Sequence, residues 1–462
     1  MTTSGAICWQ RTVIFKQLLR PLIMALCLVQ AAYAQANDHG AKHVAGLKLV
    51  GLNRTDPKWL EGYIDYRFPA DVSEQELIDL RSRLVTTSVF TSVQVSVVPD
   101  LQAPGQQLLQ VEVHERWTMI PVVRGAYGGG TPLKVLGLYD IHALGRLLTL
   151  GAETRQYGNA PPGFILYGRD PRGDSDRYYL GGEVWREFRR RQAIDRGGTV
   201  VGALSTNMTL SRIRLLVPLS TDEGERDRDR THHWKVGGEA ETVQEAPSVF
   251  DPDVTKTTGR VPPAGIALNT AKRFSFKLLP TLLYDSIAVN HIEYDGLRTK
   301  LRLGPVVSSG HAYSFVEGEA DYYRIIGGSW NLAVRAVVGQ SSFSSLQSEY
   351  FLGGLDTIRG LPDGAIFGTH AAFTNMELRY IALKAQHLWL QTAAFVDAGG
   401  AGANWSDGRD SARSTAGIGL RFAVPQVYRL MLRVDYAWSL TGPHRQGLTA
   451  GINQFFDPYT PL

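Results

Sequence analysis

The residue of this 462-residue sequence whose type and setting best support specific charge chemistry is an arginine set among glycines. Arg359 lies in the stretch "YFLGGLDTIRGLPDG", with Gly353, Gly354, Gly360 and Gly364 around it. Glycine lets a loop turn back on itself, and a planar guanidinium matches one or two carboxylates. Further along, Asn375, Glu377 and Arg379 share one face of an alternating strand, opposite Met376, Leu378 and Tyr380. If the apolar set meets lipid, the polar set points into an enclosed lumen, where an inward-folded loop would carry Arg359. Asp397 belongs to the following strand. The bland alternative is an arginine on an exposed loop.

No set of catalytic residues stands beside this one. The sequence has no G-x-S-x-G elbow, no phosphate-binding glycine loop and no H-E-x-x-H helix motif. His232 and His233 are adjacent, so on a strand they face opposite sides and cannot easily share a metal. The expectation is a protein that is not an enzyme and carries neither cofactor nor metal.

The elements that must position Arg359 follow from the rest of the chain. Its first 34 residues stand apart: Arg11, Lys16 and Arg20 precede a short apolar core from Leu22 to Val29, and Ala32-Tyr33-Ala34 has a small-x-small pattern. Residues 1–34 read as a signal peptide cleaved after Ala34. The apolar core is too short to span a bilayer as a helix. Both cysteines, Cys8 and Cys27, fall inside this segment, so disulfide chemistry is excluded from the remainder. The net charge of +4 includes the three basic residues of the leader, leaving about +1, and no nucleic-acid partner is implied.

Residues 41–116 read as a small α+β domain. His43 to Leu52 alternates as a strand; Pro57 to Tyr63 opens a helix capped by Thr55 or Asp56. Ser73-Glu74-Gln75-Glu76 is a capping box before a helix reaching about Thr87, with Leu77, Leu80 and Leu84 on one face. Two strands follow, 90–98 and 108–114, each with valines or leucines on one side. This order, with "LVGLNRTD" and "RLVTTSVFTSVQVSV", resembles a polypeptide-transport-associated (POTRA) domain. The resemblance implies a sheet edge to which an extended client polypeptide can add by backbone hydrogen bonds.

From Trp117 to Phe456 the pattern is one of segments of about ten residues that alternate apolar and polar between turn residues, the signature of an all-β transmembrane barrel. Trp330, Leu332, Val334, Ala336 and Val338 oppose Asn331, Ala333 and Arg335; Leu430, Leu432, Val434, Tyr436 and Trp438 oppose Arg433 and Asp435. The apolar faces end in aromatics, as interfacial girdles require. The division gives about sixteen antiparallel strands, among them 177–188, 206–217, 233–243 and 446–456. Tight turns fall at 327–328, 384–386 and 425–426, and long connections at 245–271, 341–371 and 400–412. The charged run Asp222 to Arg230 reads as a solvated loop. Leu448, Ala450, Ile452 and Phe456, with Gly451 between them, form the last strand, which must close the barrel against 117–127 and looks like an assembly signal. Residues 457–462 extend beyond it.

Three stretches are similar to the BamA/TamA superfamily of POTRA-plus-barrel outer-membrane proteins: Ile358-Arg359-Gly360-Leu361, "TNMELRY" with Glu377, and "AAFVDAGG" with Asp397. In that family the two acids partner the loop arginine, so the resemblance implies a lock between loop and barrel wall through Arg359, Gly360, Glu377 and Asp397. "GLYDIHALGRLL" resembles the family's first hairpin. The family implies the outer-membrane bilayer as surroundings, the α+β domain in the periplasm, and a role in assembly, insertion or translocation of other proteins. A secretion pore for a dedicated partner and a surface-interaction barrel without transport are the alternatives.

Overall fold

Alternation with period two forces a strand to have two faces, and the chain beyond Thr118 uses this to bury charge rather than hydrocarbon. The computed structural model describes residues 41–87, 89–170, 178–194, 200–219, 234–250, 272–290, 292–308, 310–342, 350–385, 387–424, 431–442 and 444–456. Ala34, the run Asp222 to Arg230, His232-His233, the 425–426 turn and residues 457–462 lie outside them. The chain divides into two compact units, one ending at Trp117 and including Leu144–Arg146, the other comprising Thr118–Ala143 and Leu147–Leu462.

In the first unit the expected opening strand splits at Ala45 into β1 (Lys42–Val44) and β2 (Gly46–Val50). It then runs through α1 (Pro57–Ile64), β3 (Ala70–Val72), α2 (Glu74–Thr86), β4 (Phe90–Pro99) and β5 (Gln107–Glu115). The split arises because β1 pairs with β3, a three-residue strand too short to leave a periodic signal, while β2 runs parallel to β5. The main sheet has the order β2-β5-β4, so β2 and β4 are its edges. Asp56 caps α1 by accepting from the Lys58 amide at 3.0 Å. At α2, Ser73 Oγ accepts from the Glu76 amide at 3.3 Å and the Glu76 carboxylate accepts from the Ser73 amide at 2.6 Å. Leu60, Ile64, Leu80, Leu84, Leu109, Val111 and Val113 form the core. The Glu115 carboxylate accepts the amides of Asn53, Arg54 and Thr55 at 3.1, 2.9 and 2.8 Å, which fixes the turn before α1. Burial raises its pKa, but the hydrogen bonds from Thr55, Arg54 and Asn53 outweigh that and hold it below the ordinary glutamate value.

The second unit is a closed antiparallel barrel of sixteen strands. In order these are β6 (Met119–Gly128), β7 (Thr131–Ala143), β8 (Leu148–Tyr157), β9 (Gly163–Asp170), β10 (Tyr179–Ile194), β11 (Val200–Pro218), β12 (Trp234–Phe250), β13 (Arg273–Asp285), β15 (Glu293–Ser308), β16 (His311–Ile326) and β17 (Trp330–Ser341). Then come β20 (His370–Lys384), β21 (Trp389–Gly402), β22 (Arg413–Ala423), β23 (Met431–Ser439) and β24 (Gln446–Ile452). A short β14 (Ala288–Asn290) pairs only with the start of β15, and β18 (Tyr350–Leu352) pairs with β19 (Ile366–Gly368) inside the connection between β17 and β20. A six-residue helix, α3 (Trp405–Asp410), lies in the connection after β21.

On β20, Ala371, Phe373, Asn375, Glu377, Arg379 and Ile381 are buried while Ala372, Thr374, Met376, Leu378 and Tyr380 are exposed. β22 and β23 repeat this, with Arg421, Arg433 and Asp435 inside and Ile418, Leu420, Leu432, Tyr436 and Trp438 outside. A closed ladder satisfies backbone groups internally, which leaves the outer apolar surface suited to lipid.

Several strand limits differ from those read in the sequence. β10 and β11 run to Ile194 and from Val200, well past 188 and 206, because their ladder continues through an arginine run in which alternation is invisible. β12 continues to Phe250, so the connection expected from 245 starts later. The last strand stops at Ile452, since Asn453 adopts a left-handed conformation with φ 72°. Phe456 is therefore not on the outer face of a closing strand: it is buried with Tyr294, Tyr323, Ala333 and Phe455 inside the barrel. Closure itself is thin. Ten register pairs join β6 to β7 and seven join β23 to β24, whereas β24 and β6, though adjacent, share one ladder position, Ala450 with Tyr127.

Candidate functional site

The loop between β18 and β19 folds into the lumen. From Leu352 to Ile366 every residue except Asp356 is buried. Leu352, Ile358, Leu361, Ala365 and Ile366 pack with Val337, Ala371, Phe373 and Ala401 of the wall into an apolar cluster, which anchors the loop by hydrocarbon burial. Thr357 Oγ1 accepts from the Gly353 amide at 2.6 Å, and Asn375 of β20 donates to the Thr357 carbonyl at 2.5 Å. Gly360 has φ 82°, and a Cβ there would stand 2.9 Å from Ala437 Cβ on β23. Only glycine suits both conditions, so the residue after Arg359 lets the loop backbone lie against the wall.

Arg359 is completely buried. Its Nε and Nη2 each reach Asp397 at 2.8 Å in a two-pronged bond, and its own amide donates to Asp397 Oδ2 at 3.0 Å. Nη1 donates to Glu377 Oε1 at 2.5 Å and to Asp435 Oδ2 at 3.1 Å. The guanidinium is sandwiched between the rings of Phe395, 3.5 Å away, and Phe455, 4.1 Å away. Cation–π contacts of this kind are worth about 2 kcal/mol when desolvated.

The acids are shared with three further arginines from the wall. Arg379 Nε holds Glu377 at 2.7 Å and its guanidinium lies over Phe456 at 5.2 Å. Arg421 donates to Glu377 at 3.3 Å and pairs with Asp435; Arg433 meets Asp435 at 2.5 Å and lies over Phe455 at 4.9 Å. Four guanidiniums thus face three carboxylates, and aromatic faces supply the remaining negative potential. Nothing in this constellation offers a nucleophile poised on a base; it is a structural tie.

Of the residues singled out in the sequence, Arg359, Gly360, Glu377 and Asp397 occupy one site. Gly451 lies close by, since a Cβ on it would be 3.1 Å from Arg433 Nη2, and Ile452 is the register partner of Leu432. Phe456 belongs to the same lumenal neighbourhood through Arg379. Sequence reading put Arg433 and Asp435 opposite an apolar strand face without joining them to Arg359, and Arg421 joins them from β22. It missed Phe395 and Phe455, which only the inward turn at Asn453 brings together. Among the described residues no three His, Cys, Asp or Glu side chains are arranged to hold a metal.

Residues 169–456 match the Omp85 superfamily domain. The crystal structure of BamA from Haemophilus ducreyi lacking POTRA domains 1–3 superposes with a TM-score of 0.61 at 15% identity, covering 89% of this chain and 84% of that one. CdiB from Acinetobacter baumannii gives 0.61 at 12% identity, covering 90% and 74%. CdiB from Escherichia coli gives 0.55 at 13%, covering 89% and 76%. At such identities the likeness is one of fold. No curated protein matches the sequence.

Proposed function

The chain belongs to the Omp85 superfamily of bacterial outer-membrane barrels, and from that membership we propose that it assembles, inserts or translocates other proteins, receiving an extended client segment at the seam between β24 and β6. The observation that carries this reading is that these two neighbouring strands share a single ladder position. In lipid, backbone groups need partners within the sheet, and a strand edge with little ladder of its own accepts an incoming strand without demanding a sequence. The lumen, crossed by the buried loop and its ion pairs, weighs against a permanently open pore.

Residues 41–116 are, in this proposal, a POTRA domain in the periplasm, reached after cleavage at Ala34. Its edges β2 and β4 would offer a client a first strand to pair with. The partners are the bilayer and client polypeptides.

Depletion of the protein followed by an outer-membrane proteome tests the role. Loss of many barrel proteins supports insertion, loss of one secreted protein supports translocation of a dedicated partner, and an unchanged proteome leaves a surface-binding barrel. The seam is tested by Tyr127→Cys with Ala450→Cys: oxidation should abolish activity and a reductant should restore it. Full activity of the oxidised protein would refute a working seam.

A further inference from the structure

We infer that the inward loop is a clamp with two ends that holds the barrel shut across its seam, Arg359 securing one flank and a pair between Arg189 of β10 and Asp363 of the loop securing the other. The inference rests on the proposal that the seam opens.

The Arg189 pair mirrors the first site with the roles reversed, since here the wall supplies the arginine and the loop the acid. Arg189 Nε and Nη2 reach the two Asp363 oxygens at 2.9 and 2.6 Å, and Nη2 also meets Asp356 at 3.0 Å. The guanidinium lies over the Tyr157 ring of β8 at 4.7 Å. Asp363 is 1% and Arg189 9% exposed, so water screens the pair poorly. The Asp363 amide also donates to the Gly129 carbonyl, in the turn between β6 and β7, at 3.1 Å. Gly129 has φ 59°, and a Cβ on it would lie 2.4 Å from the Asp363 nitrogen.

The loop therefore rests directly on the first strands. It rests on the last ones too: a Cβ on Gly447 of β24 would come 3.2 Å from Gly360 Cα, and Arg359 ties the loop to β20, β21 and β23. Between these flanks the ladder contributes one register position. Separating β24 from β6 must then pull the loop off one side, which splits a buried two-pronged ion pair and leaves both charges unmatched. Release of either end lets the loop move with the other flank and frees the seam.

The test uses the protein as it stands in outer-membrane vesicles, where the proposed cleavage after Ala34 removes Cys8 and Cys27 and leaves the introduced pair to report. Closure is read from the rate of disulfide formation between Tyr127→Cys and Ala450→Cys. The pair Leu303→Cys and Val316→Cys, register partners on β15 and β16, reports that the barrel is folded. Arg189→Ala and Asp363→Asn should each slow seam cross-linking about tenfold and leave the control pair alone, because loss of one partner in a buried pair exceeds one decade in an equilibrium. Arg189→Lys should recover part of the rate. Unchanged seam cross-linking in both Arg189→Ala and Asp363→Asn overturns the inference, whatever Arg359→Ala does. Client insertion is scored separately: a seam that answers to Arg189 while the oxidised protein remains active would sustain the clamp and remove the proposed function.

Discussion

Among the described residues Arg359 is the one cation paired with Asp397, and replacing it by alanine deletes that partner while Glu377 and Asp435 keep theirs. Glu377 retains Arg379 and Arg421, and Asp435 retains Arg421 and Arg433. Asp397 is left with Asn375 Nδ2 and the amide of residue 359. Breaking one partner of a buried pair costs about 3–5 kcal/mol, much of it for the orphaned charge. For a barrel unit of roughly 340 residues, a melting entropy of about 2.1 cal/mol/K per residue converts about 4 kcal/mol into a fall of about 6 °C. The assay is thermal loss of strand circular dichroism in detergent at a fixed heating rate, with proteolysis of the loop alongside. Arg359→Lys should rescue only partly, because it loses the fork. The stringent form is a double-mutant cycle. Asp397→Asn with Arg359→Ala should fall short of additive by more than about 1 kcal/mol, and Glu377→Gln with Arg359→Ala by less. Unchanged melting and protease resistance, or full additivity with Asp397, would refute the tie.

Phe456→Ala should cost about 3–5 kcal/mol by emptying the cluster around Tyr294 and Tyr323, visible as a comparable drop in melting temperature, with Phe456→Leu milder. Deletion of 457–462, which contains Pro458 and Pro461, should leave melting and membrane insertion unaltered. Glu115 has a depressed folded pKa, so its contribution is complete above the unfolded value near 4.5 and disappears as pH falls through the folded value. Hydrogen exchange should accordingly show the Asn53–Thr55 amides protected at neutral pH and released in acid, and released already at neutral pH in Glu115→Gln. An epitope inserted within 405–410, in the long connection after β21 that we expect on the cell surface, should be detected on intact cells without permeabilisation; detection only after permeabilisation would put that connection on the periplasmic side.

Strand faces were legible because period two survives wherever apolar and polar residues alternate strictly, as on β20, β22 and β23. The same logic failed at residues 189–191, where three consecutive arginines erase alternation although β10 continues. It also failed at the chain's end. Ile452, Gln454 and Phe456 have the parity of one face, yet a single left-handed residue, Asn453, turns the following side chains inward. Parity likewise put Asp435 in the lumen, but nothing local relates it to an arginine 76 positions earlier. Long-range pairing depends on barrel closure, which no window of sequence contains. β3 escaped notice because three residues cannot display a period.

The inward turn at Asn453 has a bearing on how the protein is made. Phe455 and Phe456 follow the last barrel strand in the chain, so they settle in the lumen only once β24 is in place. Until they arrive, Arg359 has one aromatic face covered and the other bare, and Tyr323 and Tyr294 lack their neighbour. A chain cut after Ile452 would keep the buried arginines and carboxylates around Arg359 and still be unable to finish its interior. The interior is thus completed by the residues after the last strand, and a product in which they have not docked carries a defect that quality-control proteases can find.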